Sequence, residues 1–327
     1  MYHCEKHPPD KPSQIIAVTG ATGFIGQVVC RRLLAAGFRV RGLVRSLGKG
    51  SALEAAGLEV VKGDLFELTA LIKLLAGADA VVYCAGAVRG ASQEQFDRVN
   101  IEGIRQLLQA LELSDTTPRM LYLSSLAARE PELSFYSASK YGSEEVLIKE
   151  AGRISSMILR PPPVYGPGDK ELLPLFRLMA RGLAPVPGSP NARISMLFVD
   201  DLAAAILAWL HSGKTVSGVY TLDDGRAGGY AWSEIAAIVA HICQRPVRLF
   251  PVPAWMLDIP AWVNSKVAKI LGYAPMLTPQ KLRELRHADW VCDSKALCNV
   301  IEWRPEVGLA EGLRKTPGWA GYQSGTA

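Results

Sequence analysis

Along the first half of the chain, apolar positions recur in two alternating rhythms. Gln14 to Thr19 (QIIAVT) is a short apolar run that Gly20 interrupts. Phe24 to Ala36 then repeats its apolar residues every three to four positions and stops at Gly37, a residue suited to a helix C-terminus. Further strand-like runs follow at Arg39–Val44, Leu58–Val61, Ala80–Cys84, Met120–Leu123 and Ser156–Leu159. Between them the pattern predicts a helix from the Gly63-Asp64 turn through Leu75, a long helix over Phe96–Leu111 and another over Tyr136–Glu150. Strands that alternate with amphipathic helices require a parallel sheet covered on both faces. The predicted class is α/β, with a doubly wound parallel sheet.

After Arg160 the pattern changes. Pro161–Pro167 holds four prolines, and Ala184–Pro190 is again rich in proline and glycine, so both read as loops or domain edges. The expected division is a flexible tail over 1–13, a dinucleotide-binding domain from 14–165 plus 194–221, and a smaller C-terminal substrate lobe from 166–193 plus 222–327. Helices are expected near Ser233–Cys243 and Pro279–His287. Trp255, Met256, Leu257 and Trp262 make an apolar stretch in this lobe. Packing within the lobe is the expected role; a pocket wall, a partner site or contact with a membrane surface are the alternatives.

With 49% apolar and 20% charged residues, the 327-residue chain can bury a sizeable core. Lys and Arg outnumber Asp and Glu by 36 to 31 without any block of like charges, which excludes a nucleic-acid footprint. Cys4, Cys30, Cys84, Cys243, Cys292 and Cys298 show no C-x-x-C spacing and read as reduced thiols, hence a cytoplasmic location. No apolar run is long enough for a membrane span; Leu202–Leu210 is the longest candidate. The start of the chain lacks the apolar segment of a signal peptide. His3, Cys4 and His7 read as part of the tail, and His211, His241 and His287 share no metal-ligand spacing. No metal is expected.

The sharpest local signal is Gly20-Ala21-Thr22-Gly23-Phe24-Ile25-Gly26, set between a strand and a helix. A tight turn there brings backbone N–H groups to an anion at the helix N-terminus, and glycines let the phosphates approach. The spacing, G-x-x-G-x-x-G, resembles that of the short-chain dehydrogenase/reductase superfamily, whose fold is Rossmann-like. The superfamily also carries Tyr-x-x-x-Lys with an upstream serine, and Tyr136-Ser137-Ala138-Ser139-Lys140 fits, with Ser124-Ser125 closing the fifth strand. A free phenol has a pKa of about 10, and a nearby ammonium favours its ionised form. The resemblance makes Tyr136 the acid/base, Ser125 its partner on the substrate oxygen, and Lys140 the group that lowers the Tyr136 pKa and holds the nicotinamide ribose. Ser124 takes the structural neighbour's place.

Further matches resemble the extended branch, the NAD-dependent epimerase/dehydratase group. Gly63-Asp64-Leu65 is similar to its adenine-contacting turn, and Cys84-Ala85-Gly86-Ala87 lies beside the expected cofactor position, with Cys84 a packing thiol. Asn100 falls in a helix motif where a structural role is implied. Phe198–Ala203 resembles the family's V-D-D helix start, with Asp201 as an N-cap, and Trp303-Arg304-Pro305 its C-terminal ending. Arg160–Pro167 borders the nicotinamide. Pro163 stands where many sugar epimerases have asparagine, and Ser125 to Tyr136 spans only eleven residues, which trims the loop over the substrate.

The implied cofactor contacts are thus Gly20, Thr22, Gly23, Phe24, Ile25, Gly26, Arg45, Asp64, Leu65, Ala85, Gly86, Tyr136, Lys140 and Pro163. NAD-preferring relatives end the second strand in an acid. Here Val44 takes that position and Arg45 follows, which favours NADP over NAD because a guanidinium can meet a 2′-phosphate. Two functions follow: an NAD(P)-dependent oxidoreductase or epimerase moving hydride to or from a carbinol or carbonyl carbon, or a non-catalytic dinucleotide-binding protein. Retention of Ser125, Tyr136 and Lys140 favours the enzyme. The substrate is a small molecule, with sugar nucleotides, sterol-like alcohols and small aldehydes or ketones all open. The resemblance also implies a homodimer through helices near Phe96 and Tyr136.

Overall fold

The computed structural model describes residues 14–320 apart from 153, 272 and 276; the expectation for His3, Cys4 and His7 falls outside the described residues. Seven strands form one wholly parallel sheet. In chain order six of them are β1 (Ile15–Thr19), β2 (Arg39–Val44), β3 (Glu59–Lys62), β4 (Ala80–Tyr83), β5 (Arg119–Leu123) and β6 (Ser156–Arg160). The sheet order is Gly218–Thr221, β6, β5, β4, β1, β2, β3. The order reverses between β1 and β4, where a doubly wound sheet opens a crevice at the carboxyl ends of its strands.

Helices cover both faces, as the alternating pattern requires. α1 (Phe24–Ala35) lies on one face with α8 (Val199–Ser212). On the other face lie α3 (Leu68–Leu75), α5 (Gly103–Glu112) and α6 (Phe135–Glu150). One core, around Val18, Val29, Leu33, Leu121, Leu202 and Trp209, also takes in Leu297, Ile301 and Trp303 from near the C-terminus. The opposite core joins Leu71, Leu74, Tyr83, Leu107 and Tyr122. A third core, around Tyr165, Phe176, Met196, Phe198 and Val239, unites α7 (Leu173–Ala180), α9 (Trp232–Cys243) and the stretch from Val307 to Trp319.

Four expectations need correction. Leu47–Ala55 forms a further helix, α2, which its two glycines and weak apolar rhythm concealed. The helix expected over Phe96–Leu111 begins earlier, as α4 (Gln93–Asp97), and passes through a π-helical turn at Arg98–Glu102 before α5. Asp201 is not an N-cap: Phe198 precedes α8, and the Asp201 carboxylate accepts the backbone N–H of Glu306 at 3.1 Å and of Val307 at 2.9 Å. The Trp255–Trp262 stretch does not pack within the lobe. It forms α10 (Ala254–Leu271), with Trp255, Met256, Ile259 and Trp262 all exposed.

Candidate active site

The glycine turn ends β1 and starts α1. Gly20 has φ +67°, and a Cβ on it would lie 2.7 Å from the Ala85 nitrogen; one on Gly26 would lie 2.1 Å from the Gly20 carbonyl oxygen. Glycine at both positions is therefore a packing requirement of the turn. The first turn of α1 holds no acidic residue and no side-chain cap, so nothing in the turn itself competes for an anion at its positive end. That cradle fits a pyrophosphate, with Gly23 at the N-cap and Thr22, Phe24 and Ile25 half-buried around it.

Towards β3, the Gly63 N–H donates to the Val44 carbonyl at 3.1 Å, which brings the ends of β2 and β3 together. Arg45 leaves β2 exposed to solvent, and Asp64 accepts the Phe66 N–H at 2.7 Å. Leu65 packs instead against the core that holds α5. Beside β4, the Ala85 N–H meets the Thr19 hydroxyl at 3.3 Å, and a Cβ on Gly86 would come 3.3 Å from the Lys140 Nζ. Pro163 is half-buried, and its carbonyl accepts the Leu197 N–H at 3.2 Å. The Asn100 amide accepts from Ala87 N–H at 2.8 Å and donates to Ser139 Oγ at 2.8 Å, tying the loop after β4 to α6.

At the end of β5 the two serines diverge. Ser124 is buried and donates to the buried Glu144, which the Arg160 guanidinium engages at 2.9 Å. Ser125 accepts the Ala127 N–H at 3.2 Å and lies beside the Tyr136 phenol. Burial pushes the Tyr136 phenol up to about 12, against a downward pull from Ser125, and the carboxylates of Glu284 and Glu171 push it further up. Lys140 lies one turn further along α6. Its ammonium donates to the Leu123 carbonyl at 2.9 Å and the Tyr122 hydroxyl at 3.2 Å, and burial holds its pKa down to about 8. Tyr136 is therefore protonated at neutral pH.

Tyr136 opens into a small, open cleft walled by Val88, Gly90, Phe96, Pro275, Thr278 and Lys281 among others. α11 (Pro279–Arg286) closes one side: the Lys281 Nζ lies 5.7 Å from the centre of the Tyr136 ring, and Glu284 is buried beneath it. Sequence reasoning placed this helix but did not single out its charges. The signal was Thr278-Pro279, a capped helix start, followed by Lys281 and Glu284 three residues apart on one face. Among the described residues no group of His, Cys, Asp and Glu is placed to hold a metal ion. Burial pushes the Cys84 thiol up to about 12, as suits a packing residue.

The glycine turn, the crevice and Tyr136 itself lie on the segment from β1 to the last strand of the sheet, while α11 closes the cleft from beyond it. Residues 16–222, nearly the whole of that segment, match the NAD dependent epimerase/dehydratase family. The chain belongs to that family. Its members among the relatives are NAD(P)-dependent enzymes of hydride transfer, and this chain is one too. A ceramide reductase of Caulobacter vibrioides is 36% identical over 306 residues, which cover 93% of this chain and 94% of the relative. A dTDP-6-deoxy-L-talose 4-dehydrogenase (NAD(P)(+)) of Kitasatospora kifunensis is 33% identical, covering 88% of this chain and 98% of that one. The structure of a UDP-glucuronic acid 4-epimerase of Bacillus cereus, solved with UDP-glucuronic acid and NAD, shares the fold. It superposes with a TM-score of 0.72 at 20% identity, over 92% of this chain and 97% of that one.

Proposed function

We propose that the chain is an NADPH-dependent ketone reductase, acting on a long-chain keto lipid of the ceramide class. The single observation that carries this reading is the 36% identity to the Caulobacter ceramide reductase over nearly the full length of both chains. Reduction of a carbonyl needs a proton donor at the oxygen, and a phenol that burial holds near 12 keeps its proton at neutral pH. Bound reduced nicotinamide would supply the hydride. Tyr136 then gives its proton to the carbonyl oxygen as that oxygen takes on negative charge, and Ser125 hydrogen-bonds the same atom. Lys140 sits where its ammonium can hold a ribose hydroxyl and, with its positive charge, favour the phenolate left behind.

Residues of the glycine turn would hold the pyrophosphate, Asp64 the adenine side, and Arg45 a 2′-phosphate. Exposed, and at the end of β2, Arg45 offers a bidentate donor where a carboxylate would repel that phosphate. The substrate class rests on similarity to the Caulobacter reductase over nearly the full length of both chains, and on the apolar Val88, Phe96 and Pro275 of the cleft. A homodimer through the outer side of α6, where Tyr141 and Ile148 are exposed, completes the reading.

The test is NADPH consumption with a keto analogue of a ceramide, run beside UDP-glucuronic acid. Turnover of the keto lipid is expected. Turnover of the nucleotide sugar alone would overturn the substrate class.

A further inference from the structure

α10 is an 18-residue helix that is apolar on the wrong side. Its inner side packs through the small, buried Ala261 and Ala268, and an Asp258–Arg286 ion pair at 2.7 Å fastens it to α11. The outer side carries Trp255 at 65% exposure, Ile259 at 60%, Trp262 at 59%, Val263 at 46% and Leu271 at 71%. Spacings of three and four residues put Trp255, Ile259, Trp262 and Val263 on one face, with Lys266 among them. A contiguous exposed apolar face of this kind marks an interaction surface.

Charge identifies the occupant. From Arg245 to Arg286 the sequence has seven Lys and Arg against two Asp and Glu, while the rest of the chain has 29 of each. The whole positive excess of the protein, 36 against 31, therefore lies in the segment that bears the apolar face. A symmetric contact with a second copy would set that charge against itself. An anionic bilayer surface instead attracts it, and accepts indole rings at the level of the headgroups. Lys266, whose ammonium lies 5.5 Å from the centre of a Trp262 ring, can extend from that face to a lipid phosphate. No helix among the described residues is long and apolar enough to cross a membrane, so α10 would lie on the surface, not span it.

We propose that α10 is a membrane-docking helix, seated in the interface of an anionic bilayer through Trp255, Ile259 and Trp262. The connection from α10 to α11 carries Pro275 and Thr278, which line the Tyr136 cleft. Docking by this face thus puts one wall of the cleft next to the lipid. The proposal goes beyond the enzyme's reaction and does not depend on which carbonyl it reduces.

Flotation of the full chain tests it, with vesicles of phosphatidylcholine alone and with about 30 mol % phosphatidylglycerol added. The wild type should float with the anionic vesicles, and less so at high salt. The double variant Trp255→Ser/Trp262→Ser should bind about tenfold more weakly or worse, and Lys266→Glu should weaken binding as well. Thermal midpoints and NADPH binding check that both variants are folded. A wild type that stays in the aqueous layer overturns the proposal, and so does flotation that the double variant leaves unchanged. A dimer in light scattering that the double variant makes monomeric, without flotation, would assign the face to a second copy instead.

Discussion

The Lys140 ammonium stands 3.2 Å from the Tyr122 hydroxyl, although Tyr136 lies one turn away on its own helix. The turn geometry permits either direction, and the Leu123 carbonyl at 2.9 Å decides it. A buried ammonium needs acceptors, and the end of β5 supplies a backbone one that a half-buried phenol does not displace. The consequence is a site that begins with a proton on Tyr136.

Replacing Tyr136 with Phe removes that proton donor while keeping the ring. Turnover should fall by roughly 10²–10⁴-fold with NADPH affinity within about twofold of wild type. Steady-state rates beside a direct cofactor titration separate the two effects. Wild-type turnover by the Phe variant would remove Tyr136 from the chemistry.

Lys140 carries a stability cost that can be measured. Its pKa stands near 8 in the fold against an ordinary 10.5. Below pH 8 folded and unfolded chains both hold the proton, and the full desolvation penalty is present. Between about 8 and 10.5 the unfolded chain binds the proton and the folded chain does not, so stability rises with pH across that window. Lys140→Met should therefore be more stable than wild type at pH 7, by about 1–3 kcal/mol, and should lose the rise, while NADPH binding collapses. A lower melting midpoint for the Met variant at pH 7 would contradict the assignment.

Arg45→Ala should weaken NADPH binding by about tenfold or more and leave NADH binding nearly unchanged, since only NADPH carries the 2′-phosphate. Titration with both reduced cofactors reads this directly. Equal losses for the two would return Arg45 to the role of a solvated strand-end charge.

Asp201→Ala strips the two backbone N–H groups of Glu306 and Val307 of their acceptor. The expected loss is about 2 kcal/mol of unfolding free energy, with turnover at saturating substrate largely kept. Denaturant melts of the variant give the number; no change in the midpoint would show that solvent replaces the carboxylate there.

Periodicity revealed the sheet because a strand buried on both faces must be apolar throughout, as β1 and β4 are. It failed where local sequence is not what decides. α2 has two glycines and little apolar rhythm, yet packs against α1 and β3. Asp200 and Asp201 look alike in sequence, and only the returning chain at Glu306 distinguishes the second. In the site, Ser125, Tyr136 and Lys140 were legible as a motif, and the fold brings Ser125 to Tyr136. The direction of Lys140 was not legible, because its acceptor is a backbone carbonyl on another strand. Lys281 and Glu284 were likewise hidden, since they reach Tyr136 from a helix far along the chain.

Leu297, Ile301 and Trp303 close the core over α1 and α8, and Asp201 clasps the backbone beyond them. The order of synthesis makes this matter. Strands β1 to β6 leave the ribosome well before those three side chains exist, and at ordinary translation rates the gap is about 10 s. Through that interval the apolar side chains of this core that Leu297, Ile301 and Trp303 cover stay exposed, so the layer closes only after Trp303 has emerged, and a stop codon anywhere before Leu297 leaves a client for chaperones and proteases.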